Sequence, residues 1–464
     1  MEPVIDGANN AWVMVSAALV LLMTPGLAFF YGGMSRNKSV LNMLMMSFSS
    51  LGIVSVLWVV YGYAIAFGSS KGGIFGFSSG LIGLRDIVAG AGTNAKGGVV
   101  TTFGLPDLTF SGFQMMFAII TVALISGAVA DRMKFGSWVA FTIVWSTLVY
   151  FPVAHWVFAF GVANADGTGG GAGASAGLFD ANTGGWIVNR LGALDFAGGT
   201  AVHINAGAAA FALILVLGKR KGFGKEAMRP HNLPLVMLGS GLLWFGWFGF
   251  NAGSALAANG IAALALVNTQ VATAAALLAW IGTERLRDGH ATTLGAASGA
   301  VAGLVAITPA CAFVNPLGAI AIGLVAGGAC CLAVTFKHRL GYDDALDVVG
   351  VHLIGGLIGT LMIGVVADRE FAAGNSSVID GGSFALLGKQ AIAAGAVTAY
   401  SFLATIIIAL LIKVTMGLRV TEEEEVTGID TMVHAESAYE LTGGLGATST
   451  SPGAIRPAAA VVSS

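Results

Sequence analysis

The sequence predicts an all-α integral membrane protein, and three observations support this fold class. Of the 464 residues, 56% are hydrophobic and only 10% are charged, whereas charged residues make up about 25% of soluble domains. The apolar residues form continuous blocks of about twenty, which is the length of helix that spans a bilayer. Strands of a membrane barrel are shorter and alternate between apolar and polar residues, so the pattern excludes a barrel.

Eleven apolar blocks predict eleven transmembrane helices. They cover residues 12–31, 43–67, 113–129, 138–160, 196–217, 233–252, 259–280, 293–313, 317–335, 348–366 and 391–411. The 68 glycines fit helices that pack closely in lipid. We therefore expect a transmembrane domain over residues 1–418 and a cytoplasmic regulatory tail over 419–464. The tail is expected to be disordered near its end, where small and polar residues dominate.

The charges of the loops predict the orientation, because short cytoplasmic loops carry an excess of Lys and Arg. With eleven spans, only six of the 22 basic residues fall on one side: Lys71, Arg85, Lys96, Arg190, Arg369 and Lys389. The sequence therefore predicts an outside amino terminus, an inside carboxyl terminus and a multi-pass protein of the inner (plasma) membrane. The opening MEPVIDGANN lacks the cationic segment of a cleaved signal peptide, which favours an uncleaved first helix.

Composition and spacing also exclude several classes of function. Cys311, Cys330 and Cys331 lie in predicted spans without the spacing of a metal or redox site, so we expect no metal and no cofactor. The net charge of −2 and the lack of a basic stripe argue against nucleic-acid binding. No arrangement of residues predicts an enzyme.

Two of the predicted helices share a short internal sequence similarity, which we call the echo. The stretch LDFAGGTAVHINAG from Leu194 resembles LDVVGVHLIGG from Leu346. Many transporters consist of two inverted structural repeats, with the transport site at their interface. The echo predicts two inverted five-helix repeats plus a final helix, with equivalent histidines in the fifth and tenth helices.

His203 and His352 are the candidate chemical groups of these helices. Ionisable residues inside a membrane are energetically costly and commonly functional. A pair of imidazoles can donate from one ring nitrogen and accept on another, and so can relay a proton. The alternative is two packed histidines with purely structural hydrogen bonds.

Aspartates and aromatic residues complete the candidates. Asp195 and Asp347 begin the two helices, where each can cap the free N–H groups; Asp195, on the predicted outer side, can also attract cations. Ring faces attract cations and can close a narrow pore, and the candidates are Phe113, Phe117, Trp247 and Phe250. Simple packing is the alternative for each ring.

Several long strings resemble the ammonium transporter family. They are DFAGGTAVHINAG at 195–207, GWFGFNAGSALAANG at 246–260, VNTQVATAAA from Val267, and DVVGVHLIGG at 347–356. The resemblance extends from TPGLAFFYGGMSRNKSVLN in the first helix to GLRVTEEEE in the tail, about nine tenths of the chain. It identifies the chain as a member of the bacterial branch of that family, which argues against a Rhesus-like gas channel.

The resemblance implies a role for each matching position. It makes His203 and His352 the twin pore histidines and Phe117 and Phe250 a stacked gate. It places Asp195, Ser254 and Phe113 at an outer site that recruits ammonium, and it makes Trp247, Asn251 and Thr308 pore-associated residues. It also implies a homotrimer whose tail meets nitrogen-regulatory proteins of the P-II class. For the acidic run at 422–425 the alternative is a solvated stretch.

One departure from the family pattern affects the outer site. The family usually has a tryptophan in a PIAHMVWGG-like stretch, whereas this chain has PVAHWVFAFG at 152–161, with Phe158 at the expected place. Trp156 or Trp186 is the alternative source of the missing ring. Phe158 and Trp186 are therefore both candidates for the recruitment site.

The resemblance implies an ammonium transporter. Ammonium would be recruited outside and deprotonated, and ammonia would pass the twin histidines, either with transfer of the proton or as a neutral species alone. An ammonium sensor without meaningful flux is one alternative. A bis-histidine haem protein is another, because two membrane histidines can ligate iron.

Overall fold

The computed structural model describes residues 5–88, 99–100, 104–160 and 184–439. Eleven apolar helices follow one another along this part of the chain. They are α1 (Gly7–Met34), α2 (Val40–Phe67), α3 (Asp107–Val129), α4 (Phe135–Phe158), α5 (Gly199–Leu217), α6 (Leu233–Ala255), α7 (Gly260–Asp288), α8 (Thr293–Ile307), α9 (Pro316–Leu340), α10 (Val349–Val366) and α11 (Ala385–Thr415). Within the described residues, ten are long and apolar enough to cross a membrane, and α8 is shorter. The all-helical membrane fold is thereby confirmed, while eleven crossings stay a prediction.

The helix α8 ends earlier than its apolar block. The sequence predicted a span over 293–313, but residues 308–313 form turns. Pro309 explains the difference, because proline has no N–H to continue the helical hydrogen bonds and its ring clashes with the carbonyl four residues earlier. The turn that follows leaves the carbonyl of Pro309 to accept a hydrogen bond from the N–H of Phe196, at 3.1 Å.

Several helices contain a wider π-helical turn. These turns are Trp58–Gly62 in α2, Ser146–Tyr150 in α4, Gly199–Ile204 in α5 and Val349–Leu353 in α10. Short helices lie outside the bundle at Ser79–Leu84, Arg85–Val88 and Trp186–Leu191. Two antiparallel pairs of two-residue strands join Ser70–Lys71 to Phe75–Gly76 and Val99–Val100 to Leu105–Pro106. Because π-turns concentrate at functional sites, those in α5 and α10 are of most interest.

The amino terminus and the tail lie at opposite ends of the bundle. The N–H of Asp6 donates to the carbonyl of Gly104 just before α3, at 2.9 Å. At the other end, the N–H of Val420 donates to the carbonyl of Arg132 just after α3, at 3.0 Å. These contacts do not identify the cytoplasmic end, so the orientation stays a prediction.

The first part of the tail packs against the bundle as two short helices, α12 (Glu422–Thr427) and α13 (Ile429–His434). Glu425 is buried and binds Arg419 at 2.6 Å and the N–H of Lys221 at 2.6 Å. The acidic run is therefore only partly solvated. Residues 440–464, where disorder was predicted, lie outside the described residues.

A buried cluster of charges holds the loops at the tail end together. Arg220 binds Asp343 at 2.8 Å and Asp131 at 3.2 Å, and Asp131 also binds Arg36 at 2.9 Å. Arg132 is fully buried, donates to the carbonyl of Asp343 and lies 3.9 Å from the carboxylate of the same residue. Each charge has a partner of opposite sign, which buried ions require. The loops after α1, α3, α5 and α9 are thus fixed to one another.

Candidate functional site

The helices α5 and α10 approach each other at two glycines. A Cβ atom on Gly207 would lie 2.4 Å from the backbone nitrogen of Leu353. A Cβ atom on Gly356 would lie 3.0 Å from Ile204 and 3.2 Å from the Cβ of His203. Both glycines follow a histidine by four residues, and each packs against the residue after the other histidine. The close approach brings the two histidines together.

Asp195 caps the start of α5. Its carboxylate accepts hydrogen bonds from the N–H groups of Gly198, Gly199 and Thr200 at 2.7–2.8 Å, and also from the hydroxyl of Thr200. Burial raises the pKa of Asp195 above its ordinary value, and these hydrogen bonds oppose that rise. The capping interpretation from the sequence agrees with these contacts.

The equivalent cap of α10 is Asp344, so the assignment of Asp347 as a cap was wrong. The carboxylate of Asp344 accepts from the N–H groups of Val348 and Val349 at 3.1 and 2.7 Å. Asp347 instead has a positive φ of 63° and forms an ion pair with Lys337. Burial, with repulsion from Asp347, raises the pKa of Asp344 to about 6.

The spacing to the histidines explains this correction. Asp195 precedes His203 by eight residues, and Asp344 precedes His352 by eight. The left-handed position lies five residues before each histidine, at Gly198 (φ 117°) and Asp347. The echo aligned Leu194-Asp195 with Leu346-Asp347, but these two pairs are not structurally equivalent. Counting back eight residues from each histidine would have identified Asp344 as the second cap.

His203 and His352 form a buried pair. Their Nδ1 atoms are 3.3 Å apart, and their rings lie 5.4 Å apart with planes 17° from parallel. At this distance one Nδ1 donates and the other accepts, so the two rings share a single proton between these atoms. There is also no space for a haem between two Nδ1 atoms this close, which argues against the haem alternative. In the described part of the chain, Nε2 of His203 has no hydrogen-bond partner.

A column of aromatic rings continues from the histidines towards the amino-terminal end. His203 lies 6.0 Å from Phe250, Phe250 lies 4.3 Å from Phe117, and Phe117 lies 4.9 Å from Phe113, measured between ring centroids. These rings are almost fully buried. Phe117 and Phe250 are the closest pair of rings in the column.

Two hydrogen-bonded side chains support the column. The ring of Trp247 stacks on His203 at 5.4 Å, and its Nε1 donates to the hydroxyl of Thr308 at 2.8 Å. The hydroxyl of Thr308 donates in turn to the carbonyl of Leu304. Asn251 donates to Thr269 at 2.9 Å, which ties α6 to α7. Trp247 therefore belongs to the column and Thr308 supports it through one hydrogen bond, whereas Asn251 holds α6, the helix that carries Trp247 and Phe250.

The predicted outer residues are only partly brought together. Ser254 donates to the carbonyl of Phe250 at 2.7 Å, which leaves its hydroxyl oxygen able to accept another hydrogen bond. Phe158 lies 6.4 Å from Phe117. Among the ring contacts of the described residues, Trp186 contacts Trp156 at 5.7 Å and not the column. This geometry favours Phe158 over Trp186 as the ring that completes the outer site.

A cavity of about 380 Å³ lies at the tail end of the bundle, beside the start of α10. Its lining is mostly the loop after α5 and the end of α9: Arg220, Phe223, Gly224, Lys225, Glu226, Ala227, Met228, Lys337, His338 and Ala345. Lys337 lines the cavity and also binds Asp347. The cavity thus adjoins the segment that leads to His352.

Comparison with known proteins finds relatives that match almost the whole chain. A family model described as the Ammonium Transporter Family matches residues 11–439. An ammonium transporter of Mycobacterium tuberculosis is 58% identical over 449 residues, which cover 94% of this chain and 91% of that protein. An ammonium transporter of Bacillus subtilis is 43% identical, and the match covers 93% of this chain and 98% of that protein. Among solved structures, a Sensor Amt Protein has a TM-score of 0.79 at 30% identity, and the match covers 93% of this chain and 98% of that one. Saccharomyces cerevisiae Mep2 has a TM-score of 0.77 at 34% identity, and the match covers 90% of this chain and 88% of that one.

Proposed function

The chain belongs to the ammonium transporter family, whose members are membrane transporters and not enzymes, and from this premise we propose that it conducts ammonia through a pore that holds His203 and His352. The observation that carries the proposal is the buried contact of 3.3 Å between their Nδ1 atoms, directly behind the closed pair Phe117 and Phe250. The two rings supply hydrogen-bonding atoms in a passage otherwise lined by apolar groups.

We propose that ammonium is collected at the amino-terminal end of the column. The ring faces of Phe113 and Phe158 attract a cation, and the open oxygen of Ser254 accepts a hydrogen bond from it. Asp195 acts through the start of α5, because its carboxylate oxygens are occupied by capping. Trp186, whose ring contacts Trp156 and not the column among the described residues, is not part of this proposed site.

Deprotonation distinguishes ammonium from potassium in this proposal. Ammonium can release a proton and continue as a small neutral molecule, whereas potassium keeps its charge and cannot enter an apolar passage without a large cost. Ammonia then passes Phe117 and Phe250 when these rings move apart. Nε2 of His203 offers it the next hydrogen-bonding contact.

The shared proton of the histidine pair allows two transport modes. If the pair relays the proton released by ammonium, transport carries charge; if the proton returns outside, transport is neutral. An ammonium pulse applied to proteoliposomes distinguishes them by current. A silent membrane with intact uptake excludes the relay.

Uptake of labelled methylammonium and ammonium into proteoliposomes, with and without a protonophore, tests the proposed function itself. The proposal predicts uptake well above that of protein-free liposomes. Saturable ammonium binding without uptake would refute it and support the sensor alternative. Because the rings of Phe117 and Phe250 lie only 4.3 Å apart, flux requires that these two rings move apart.

We further propose that the two five-helix halves are inverted repeats and that the protein acts as a homotrimer in the inner membrane. The equivalent caps and glycines of α5 and α10 support the repeat. For the tail, we propose binding of a P-II-class regulatory protein, supported by its position beside the cavity-lining loop after α5. A pull-down under nitrogen-replete conditions that retains no such protein would contradict this.

A further inference from the structure

Gln390 in α11 is fully buried, and its side-chain amide makes three hydrogen bonds. Its Oε1 accepts from the N–H of Leu194 at 2.7 Å, and its Nε2 donates to the carbonyl of Leu194 at 2.7 Å. Nε2 also donates to the carbonyl of Thr360 at 3.2 Å. No feature of the sequence marked this residue, because α11 lies outside the predicted repeat.

The two bonds to Leu194 hold the segment that leads into α5. Leu194 lies in an irregular stretch without helix or strand partners, and its backbone groups are satisfied by this one side chain. The next residue is Asp195, the cap of α5. The amide of Gln390 therefore fixes the backbone from which the cap extends.

The third bond connects the same amide to α10. Thr360 follows His352 by eight residues on α10, and its hydroxyl lies close to the start of α5. A Cβ atom on Gly199 would be 2.9 Å from the Oγ1 of Thr360. Gln390 thus contacts α10 and the segment that leads into α5, near the place where α10 packs against the start of α5.

We infer that Gln390 is a positioning residue that sets the relative position of α5 and α10 and, through it, the contact between His203 and His352. This inference rests on the proposed function of the histidine pair. Removing the amide leaves both backbone groups of Leu194 without these partners, so the start of α5 becomes free to shift. The hydrogen bonds of the Gln390 side chain go to Leu194 and Thr360 and not to either histidine.

Two substitutions test the role. Gln390→Leu keeps the size and removes all three bonds, and Gln390→Asn keeps an amide that is one methylene too short. Thr405→Val is the matched control, because Thr405 is also buried on α11 but binds Trp145 of α4 at 2.9 Å. Each variant is purified and reconstituted, and transport is normalised to folded protein.

The inference predicts a loss of maximal transport rate without a comparable change in KM. A shift of about 1 Å at a reacting centre can cost a hundredfold, so we expect at least about a tenfold loss in Gln390→Leu and a smaller loss in Gln390→Asn. A purely structural role would lower the yield of folded protein but leave the rate per folded molecule unchanged, as we expect for Thr405→Val. If Gln390→Leu does not fold, Gln390→Asn decides.

Hydrogen exchange at Leu194 provides a readout that does not need transport. The inference predicts that exchange of its N–H is at least about tenfold faster in Gln390→Leu than in Thr405→Val, because the acceptor has been removed. If the N–H of Leu194 exchanges faster in Gln390→Leu but the wild-type protein itself shows no transport, the proposed function is refuted and the positioning role of Gln390 is retained. Normal transport per folded molecule in both Gln390 variants would overturn the inference.

Discussion

Gly207→Ala places a methyl group directly between the two histidine-bearing helices. The new Cβ would lie 2.4 Å from the backbone nitrogen of Leu353, whereas ordinary contacts begin at 3.4 Å. Because the obstacle is backbone, it cannot rotate away. The helices α5 and α10 must therefore separate by about 1 Å, which moves the two Nδ1 atoms from 3.3 Å to about 4 Å and beyond hydrogen-bonding distance.

This separation has a predicted effect on both stability and transport. Overpacking typically costs about 1–3 kcal/mol, of which the better helix propensity of alanine returns up to about 1 kcal/mol. Loss of the histidine contact should lower transport per folded molecule by about tenfold to a hundredfold. Thermal unfolding in detergent and methylammonium uptake in proteoliposomes measure the two effects.

Two matched variants isolate the cause. In Gly395→Ala the added methyl group meets nothing within 4 Å, so we expect normal transport and equal or higher stability. In Gly356→Ala the added methyl group would meet Cγ1 of Ile204 at 3.0 Å and the carbonyl oxygen of Gly199 at 3.2 Å. This overlap is smaller than the one at Gly207, so we expect an intermediate effect. If Gly207→Ala transports and unfolds like Gly395→Ala, the argument that close helix approach sets the histidine contact is refuted.

Three other changes have defined outcomes. Thr308→Val removes the acceptor of Trp247 Nε1 and should destabilise the protein by about 1–3 kcal/mol, measured by thermal unfolding; an unchanged midpoint would contradict this. Because the pKa of Asp344 is raised to about 6, its stabilising contribution is present below about pH 4 and is lost as the pH rises through 6. Asp344→Asn should therefore gain unfolding temperature relative to wild type between pH 4 and 7, and a constant difference would refute the assignment. Glu425→Gln should speed tryptic cleavage of the tail several-fold, whereas Glu423→Gln, at an exposed position, should not; equal rates would show that the buried contact does not hold the tail.

Local patterns were sufficient to predict the helices and the histidine pair. Apolar blocks of about twenty residues follow from the thickness of the bilayer, and each block that the structure describes contains a helix. His203 and His352 stood out because ionisable residues are rare in such blocks. The aromatic residues of the column were also named, because ring faces attract cations and can close a narrow pore, and Phe250 lies in a string that resembles the family.

Features that depend on exact register or on distant packing could not be predicted in the same way. Asp347 was chosen as a cap because it follows a leucine as Asp195 does, although capping depends on the distance to the first turn of the helix. Gln390 binds Leu194 across 196 residues, and no local pattern reports such a contact. The end of α8 was misplaced because hydrophobicity continued beyond Pro309.

Replacing both histidines tests the central claim most directly. In proteoliposomes, the flux of ammonium and the flux of potassium are measured for the wild type and for the double variant His203→Ala/His352→Ala. The account predicts that the ratio of ammonium to potassium flux falls by at least about tenfold, the equivalent of one hydrogen bond of about 1.4 kcal/mol. An unchanged ratio, with unchanged ammonium flux per folded molecule, would contradict a role for the histidine pair in conduction.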